Sequence, residues 1–190
     1  GNALLKSINR LSGIIWGDKN NAIAIDYWVK NRNEKTYLFN PSNVNQEPKI
    51  IYDRNYQDRY SDPGSFLTER NIYNKNVLKI VSNSLILMGD GYSENGQFPF
   101  IDRLSLNNFS SKRIYESSYT DKLEDILDFD IKKNQMLVRI ESKSNYPNYY
   151  FKNLNRRRVN KITDFKNPFE KLNQVDKEVI SYKRNDGVEL

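Results

Sequence analysis

The chain has 190 residues, of which 37% are hydrophobic and 13% aromatic, and it carries a net charge of +6. This composition is typical of a folded protein, and the length suffices for one sizeable core or a few repeated units. The sequence has no Cys and no His, which excludes disulfides and thiol catalysis and removes the commonest general base. Its 30 basic residues are spread among 24 acidic ones, and no apolar run reaches membrane-spanning length. We therefore expect neither nucleic acid nor a membrane as a partner.

In chain order, short apolar strands separated by polar turns fall into three groups of four. The first group is predicted at residues 12–16, 22–29, 37–39 and 49–52. The second is predicted at residues 76–80, 85–88, 99–104 and 112–115, and the third at residues 125–129, 136–141, 148–154 and 160–163. Frequent turn signals without a long helical periodicity indicate an all-β protein. The uninterrupted apolar run Leu85-Ile86-Leu87-Met88 indicates an inner strand that is buried on both faces.

The last two strands of each group share one layout. Residues 37–53, 101–117 and 149–165 are each 17 residues long and align without a gap, with Asn43, Asn107 and Asn155 at the seventh position. A basic residue followed by Ile occupies the thirteenth and fourteenth positions in all three. We predict three equivalent antiparallel hairpins within a partial β-propeller of about three four-stranded antiparallel blades. The blades are expected at about residues 10–55, 70–118 and 123–166.

The topology of a four-stranded blade determines the face on which each connection between its strands lies. The connection between the second and third strands and the exit to the next blade lie on the same face of an antiparallel four-stranded blade. The longest connections have these two roles, at residues 30–35, 54–70, 90–97 and 142–147. Long loops on one face either carry the function of a scaffold or span wide gaps between blades, and the sequence leaves both interpretations open.

The longest of these connections holds the candidate site residues Asp58, Arg59, Tyr60 and Asp62. Pro63 fixes φ and Gly64 accepts a positive φ, so the segment has the chemistry of a turn. One interpretation is structural, with Asp58, Arg59 and Asp62 forming an ion-pair network that holds the loop. The other is functional, with the four residues facing substrate and Arg59 attracting an acidic peptide side chain.

The last segment of the chain differs from the repeats before it. A short helix is plausible at residues 168–174, and residues 177–183 are predicted to form a strand. Asn185-Asp186-Gly187 is a strong hairpin-turn signal, and a return strand is expected to begin at Val188. A hairpin that stops so soon after its turn leads us to expect a sequence cut from a longer one.

Several stretches resemble the prolyl oligopeptidase family of serine peptidases, in particular its glutamyl endopeptidase branch. The most specific is Tyr56-Gln-Asp58-Arg59-Tyr60-Ser61-Asp62-Pro63-Gly64-Ser65, followed by the terminal stretch from Glu178 to Leu190. Others are Gly13-Ile-Ile-Trp16-Gly17-Asp18, Pro99-Phe-Ile-Asp102-Arg103-Leu104, Pro147-Asn-Tyr149 and Thr163-Asp-Phe165-Lys-Asn167-Pro168. One departure is Asn167-Pro168-Phe169-Glu170, where the family usually has Asn-Pro-Tyr-Pro.

The resemblance implies a β-propeller that sits over an α/β-hydrolase domain and restricts access to peptides. Residues 1–166 would then be the last blades of that propeller, and residues 167–190 the linker and first hairpin of a hydrolase domain absent from this chain. The leading prediction is a non-catalytic segment that gates and positions peptide substrate for that domain, without a cofactor or a metal. The alternative is a stand-alone propeller-like module that binds a protein or a glycan.

The chain itself is not expected to be an enzyme. A serine peptidase of this type needs His as a base and a Gly-x-Ser-x-Gly elbow, and the sequence contains neither. The nearest match, Gly91-Tyr-Ser93-Glu-Asn-Gly96, has the wrong spacing.

Three blades are too few to close a propeller, so we expect the isolated chain to self-associate. The compartment stays open between cytoplasm, periplasm and organelle.

Overall fold

The computed structural model describes residues 3–156, 158–169, 175 and 178–190. The backbone of these residues forms strands, turns and irregular connections, and no helix. The described part therefore holds no helix of the length and apolarity needed to cross a membrane. The all-β prediction is confirmed.

Three four-stranded antiparallel sheets follow one another along the chain. Sheet 1 contains β1 (Arg10–Trp16), β2 (Ala22–Trp28), β3 (Asn33–Phe39) and β4 (Lys49–Asn55). The chain continues through β5 (Ser65–Phe66), β6 (Thr68–Arg70), β7 (Asn76–Leu78), β8 (Ser84–Gly89), β9 (Tyr92–Ser93), β10 (Gly96–Gln97), β11 (Phe100–Ser105) and β12 (Ser111–Glu116). Sheet 2 consists of β5, β8, β11 and β12. Sheet 3 contains β13 (Leu123–Asp130), β14 (Gln135–Glu141), β15 (Asn148–Asn153) and β16 (Arg158–Lys161).

The last two strands of each sheet form the predicted repeated hairpin. In all three hairpins the second position of the 17-residue layout lies opposite the thirteenth. The pairs are Leu38 with Lys49, Asp102 with Arg113, and Tyr150 with Lys161. Since register fixes which side chains share a face, the three hairpins present equivalent positions to equivalent surroundings.

One strand prediction is wrong. The outermost strand of sheet 2 is not residues 76–80 but β5, in which Ser65 and Phe66 pair with Met88 and Leu87. The Leu67 amide extends this pairing by donating to the Ile86 carbonyl over 2.8 Å. Residues 76–78 instead pair with β6 in a separate two-stranded ribbon. Phe66 and Leu67 occupy the sheet edge because they pair with β8 and pack into the cores on its two sides.

The sheets stack face to face, and each interface is an apolar core. Side chains of β8 alternate between the two interfaces, as successive residues in a strand must. Leu85 and Leu87 join Ile23 in the core between sheets 1 and 2, whereas Ile86 joins Phe129 and other residues in the core between sheets 2 and 3. The uninterrupted apolar run is therefore an inner strand buried on both faces, and consecutive sheets pack as blades of a propeller do.

A buried polar cluster also joins sheet 2 to sheet 3. Glu124 of β13 is fully buried and accepts a hydrogen bond from Lys152 of β15, whose Nζ lies 3.0 Å away. Tyr115 of β12 donates to the same carboxylate and accepts a hydrogen bond from Lys152 Nζ over 2.6 Å. Burial, together with the hydrogen bond to Glu124, raises the pKa of the Tyr115 hydroxyl well above its usual value. The phenol therefore stays protonated as the donor between the two sheets.

The C-terminal turn forms as the sequence predicts. Gly187 has φ +87, and its amide donates to the Arg184 carbonyl over 2.8 Å. Arg184 in turn donates to Val188, and Tyr182 exchanges two backbone hydrogen bonds with Leu190. Of the strand predicted at residues 177–183, Lys183 pairs with Glu189 in an isolated bridge, and residue 177 lies outside the described residues. Most of the helix predicted at residues 168–174 also lies outside them.

Candidate functional site

The connections between strands lie at two opposite ends of each sheet. We call one the loop end, which contains residues 29–32, 56–64, 90–99, 117–122 and 142–147. We call the other the turn end, which contains residues 17–21, 40–48, 79–83, 106–110, 131–134 and 154–156. The loop end holds the candidate site residues Asp58, Arg59, Tyr60 and Asp62.

Contacts join neighbouring connections at the loop end. The Tyr56 amide donates to the Arg32 carbonyl over 2.9 Å, which links the exit of sheet 1 to the connection between β2 and β3. The Arg59 guanidinium lies 3.8 Å from the centroid of the Tyr92 ring, on the connection between β8 and β11 of sheet 2. The long connections of sheets 1 and 2 therefore meet at this end.

Arg54, at the end of β4, organises the candidate loop. Its side chain is only 13% exposed, and its Nη2 donates to Asp62 Oδ2 over 2.9 Å. Its Nη1 donates to the Asp58 carbonyl, also over 2.9 Å, and its Nε lies 3.4 Å from Glu34. One guanidinium thus connects the sheet to both acidic positions of the loop, and the fork geometry of Arg suits this task.

Asp58 and Asp62 also shape the loop through their side chains. Asp58 Oδ1 accepts a hydrogen bond from the Tyr60 amide over 3.0 Å. Hydrogen bonds from Ser61 and from this amide lower the pKa of the Asp58 carboxyl, which therefore stays ionised. Asp62 Oδ1 accepts a hydrogen bond from the Gly64 amide over 2.9 Å. Both carboxylates are engaged in holding the turn.

Gly64 allows the loop to pack against sheet 2. Its φ of +85 lies in the left-handed region, and a Cβ at this position would meet the Met88 carbonyl oxygen at 2.4 Å. Only Gly satisfies both the dihedral angle and the close approach. The turn therefore delivers β5 to its place beside β8.

Arg59 and Tyr60 are exposed, as Asp58 and Asp62 are, but among the described residues their side chains make no hydrogen bond that shapes the turn. The Arg59 side chain is 63% exposed, and its Nη2 lies 3.9 Å from Asp90, at the limit of an ion pair. Tyr60 is 64% exposed. A cation stacked on Tyr92 beside a free aromatic ring can attract an acidic or aromatic group from solution.

The sequence predicts that Asp58, Arg59 and Asp62 form ion pairs with one another, and this prediction is wrong because the charged side chains have other partners. Among the described residues, Asp62 pairs with Arg54 and Arg59 pairs with Asp90. Sequence reasoning missed Arg54, although a signal existed. Arg54 shares a strand face with Tyr52, and a cation at an inward position of a strand indicates a buried ion pair.

Two cavities lie near this end. One of about 280 Å³ lies between the candidate loop and sheet 1, with Ile15, Ile25 and Phe66 among its apolar walls. A larger one of about 520 Å³ opens between sheets 2 and 3, where residues 95–98, 119–123 and 141–143 meet. The second has the volume of a small-ligand site, typically about 300–1,000 Å³.

The acidic residues of β13 have structural partners. Asp125 accepts a hydrogen bond from Arg139 over 3.0 Å, and Asp130 accepts two from the backbone amides of the following turn. Among the residues that the structure describes, no group of three or more acidic side chains is placed to hold a metal ion.

Comparison with known proteins identifies relatives of the chain. It is 30% identical to the probable chloroplastic glutamyl endopeptidase of Oryza sativa subsp. japonica, over 95% of this chain and 21% of that protein. It is also 30% identical to the probable chloroplastic glutamyl endopeptidase of Arabidopsis thaliana, over 95% of this chain and 20% of that protein. No protein-family model matches the chain.

A solved structure, that of TolB from Acinetobacter baumannii, aligns with a TM-score of 0.41 and 15% sequence identity over 85% of this chain and 34% of that one. The blade arrangement is seen in the packing of the three sheets against one another. The sequence relatives confirm the resemblance that the motifs predict. The chain is a relative of the probable glutamyl endopeptidases, and it spans about a fifth of their length.

Proposed function

We propose that this chain is a non-catalytic propeller segment of a serine peptidase and that it gates and positions peptide substrate. The main observation in support of this proposal is the alignment of 95% of the chain with about a fifth of the probable glutamyl endopeptidases. The catalytic domain would be a hydrolase domain of the same polypeptide. The absence of His from the sequence supports a role apart from acyl transfer, because a serine triad needs that base.

The proposed division follows the repeats. Residues 10–55, 65–118 and 123–166 would be three blades, the second beginning at Ser65 and not at residue 70 as expected from the sequence, and residues 167–190 would lead into the hydrolase domain. The loop end would face the substrate, because its two longest connections, residues 56–64 and 90–99, meet each other across sheets 1 and 2.

Arg59 and Tyr60 are the residues that we propose to meet substrate, whereas Asp58 and Asp62 would hold the loop in position. The exposure of Arg59 and its weak pairing with Asp90 support this role, since an incoming carboxylate can replace a partner at 3.9 Å. An Arg fork binds a carboxylate through two parallel hydrogen bonds.

The proposal is tested first by the reading frame beyond Leu190. A hydrolase sequence with a Gly-x-Ser-x-Gly elbow and a later His supports it. A stop codon directly after Leu190 would contradict it and favour the stand-alone protein- or glycan-binding module.

The substrate-facing role is tested in the complete polypeptide by replacing Arg59 with Ala. We expect kcat/KM for peptides with a glutamate side chain to fall about two- to fivefold relative to neutral peptides, the effect of one exposed ion pair. Arg156→Ala, at the turn end, is the matched control and should leave the ratio unchanged. An unchanged ratio in the Arg59 variant would remove the recognition role and leave the segment as a scaffold.

A further inference from the structure

A separate pocket lies on the opposite side of the molecule from the candidate site. It has a volume of about 520 Å³ and opens at the turn end, between sheet 2 and sheet 3. Strands β11 and β12 form one wall, and β13 with the turns that follow β13 and β15 forms the other. Because both sheets belong to this chain, the pocket is complete within it.

Positive charge dominates the lining of this pocket. Arg103, Lys112 and Lys132 all line it, and none of them lies within ion-pair distance of a carboxylate in the described part of the chain. The neighbouring acid Asp102 lies on the other face of β11, where it pairs with Arg113 over 2.7 Å. Consecutive strand residues alternate between faces, which places Asp102 away from Arg103. Arg113 also lines the pocket, with Asp102 as its partner, and the nearby Asp130 carboxylate accepts hydrogen bonds from the backbone amides of Lys132 and Lys133.

Arg103 provides a second, independent observation. Its Nε is buried and has no hydrogen-bond partner among the described residues. Buried donors without a partner are rare in folded proteins, and an orphaned guanidinium donor beside a cavity is a group for which an acceptor is expected. An oxyanion in the pocket would provide that acceptor.

The remaining lining restricts what the ligand can be. Ile114 and Ile131 add partly exposed apolar surface beside the cations, and Phe129 lies behind them in the buried core. The volume lies within the typical range of about 300–1,000 Å³ for small-molecule sites, which exceeds what a bare phosphate needs. A ligand that matches both the charged and the apolar lining has a multivalent anionic group and an organic part.

We propose that this pocket binds a small organic phosphate ester. The phosphate lies between Arg103, Lys112 and Lys132, and Arg103 Nε donates to one of its oxygens. The organic part packs against Ile114 and Ile131. A basic surface without a specific pocket would instead bind a nucleic-acid strand. The test below distinguishes binding of a small phosphate ester from binding of nucleic acid.

The test is isothermal titration calorimetry of the purified chain with inorganic phosphate, AMP and a single-stranded oligonucleotide. We expect one AMP per chain, bound more tightly than inorganic phosphate. Arg103→Gln and Lys132→Gln should each weaken AMP binding about tenfold, the effect of losing one charge-assisted hydrogen bond. Lys75→Gln removes the same charge from the turn between β6 and β7, remote from the pocket, and should change binding less than about twofold.

Lys132 is exposed on a turn, so its variant keeps the test valid if the Arg103 variant does not fold. No AMP binding by the folded chain would overturn the proposal. Equal weakening by Lys75→Gln and Lys132→Gln would overturn it too, because the attraction would then be general. Oligonucleotide binding tighter than AMP binding, and insensitive to Lys132→Gln, would likewise contradict it.

Discussion

Asn134 donates a side-chain hydrogen bond to Asn155 across 2.7 Å, and Asn83 makes the same bond to Asn107 across 2.6 Å one sheet earlier. Both donors have positive φ, of 49 and 52. The amides of Leu154 and Leu106 donate to the carbonyls of Asn134 and Asn83, over 2.9 and 3.0 Å. The repeat between sheets 2 and 3 therefore extends to the individual hydrogen bonds that tie two turns together. In sheet 1 the Ser42 hydroxyl makes the corresponding tie, to the Lys19 carbonyl.

Replacing Asn134 with Ala should lower the free energy of unfolding by about 1–3 kcal/mol. The change removes one hydrogen bond and places a Cβ-bearing residue without a local partner in the left-handed region. Urea denaturation measures the loss. Asn134→Gly keeps the dihedral angle accessible and should cost less than the Ala variant. Equal stability of the Ala variant and the wild type would show that the turn does not hold sheet 3.

Replacing Arg54 with Met should destabilise the protein by about 1–3 kcal/mol, because Asp62, Glu34 and the Asp58 carbonyl lose a largely buried partner. Arg59→Met is the matched control, and its effect should stay below about 0.5 kcal/mol since its side chain is 63% exposed. Chemical denaturation of both variants gives the comparison. A larger loss in the Arg59 variant would contradict the assignment of Arg54 as the residue that organises the loop.

Tyr52 should contribute to the loss of stability at alkaline pH. Burial, with a smaller effect of Asp102, raises the pKa of its hydroxyl from 10.0 to about 12. The folded protein binds this proton more tightly than the unfolded chain, so the contribution is complete below pH of about 10 and is lost as the pH rises towards 12. Tyr52→Phe should therefore flatten the fall in unfolding free energy between these pH values. An identical slope in both proteins would show that Tyr52 titrates normally.

The isolated chain should self-associate through the outer faces of sheets 1 and 3. Ile14 and Trp16 of β1 are 36% and 47% exposed, and Phe151 of β15 is 42% exposed. Exposed apolar sheet faces are association sites in soluble proteins. Light scattering should show a molar mass that rises with concentration, and the double variant Ile14→Lys with Phe151→Lys should reduce the rise. A compact monomer at every concentration would count against incomplete blades.

Much of the fold is readable from local patterns. The spacing of Asn43, Asn107 and Asn155 predicts three hairpins because the turn and register are set within 17 residues. The edge of sheet 2 is not readable in this way. Both residues 65–66 and residues 76–80 suit a strand, and only packing against β8 decides between them.

In the candidate site, too, local features can be predicted from the sequence and contacts between sheets cannot. Turn chemistry at Pro63 and Gly64 predicts the loop, and the structure has Gly64 at positive φ. The inward position of Arg54 on β4 is a signal in the sequence for its pairing with Asp62, eight residues later. The contact of Arg59 with Tyr92 depends on how sheet 1 approaches sheet 2, so Tyr92 appears only in three dimensions. A contact between two sheets, such as that of Arg59 with Tyr92, leaves little trace in a single sequence.

The most direct test of the account is nuclear Overhauser spectroscopy on the isotope-labelled chain. Three equivalent hairpins predict cross-strand contacts between the backbone protons of Leu38 and Lys49, Asp102 and Arg113, and Tyr150 and Lys161. All three sets should appear together. Helical sequential contacts in any of these segments, or a shifted register in one of them, would contradict the repeat on which the blade assignment stands.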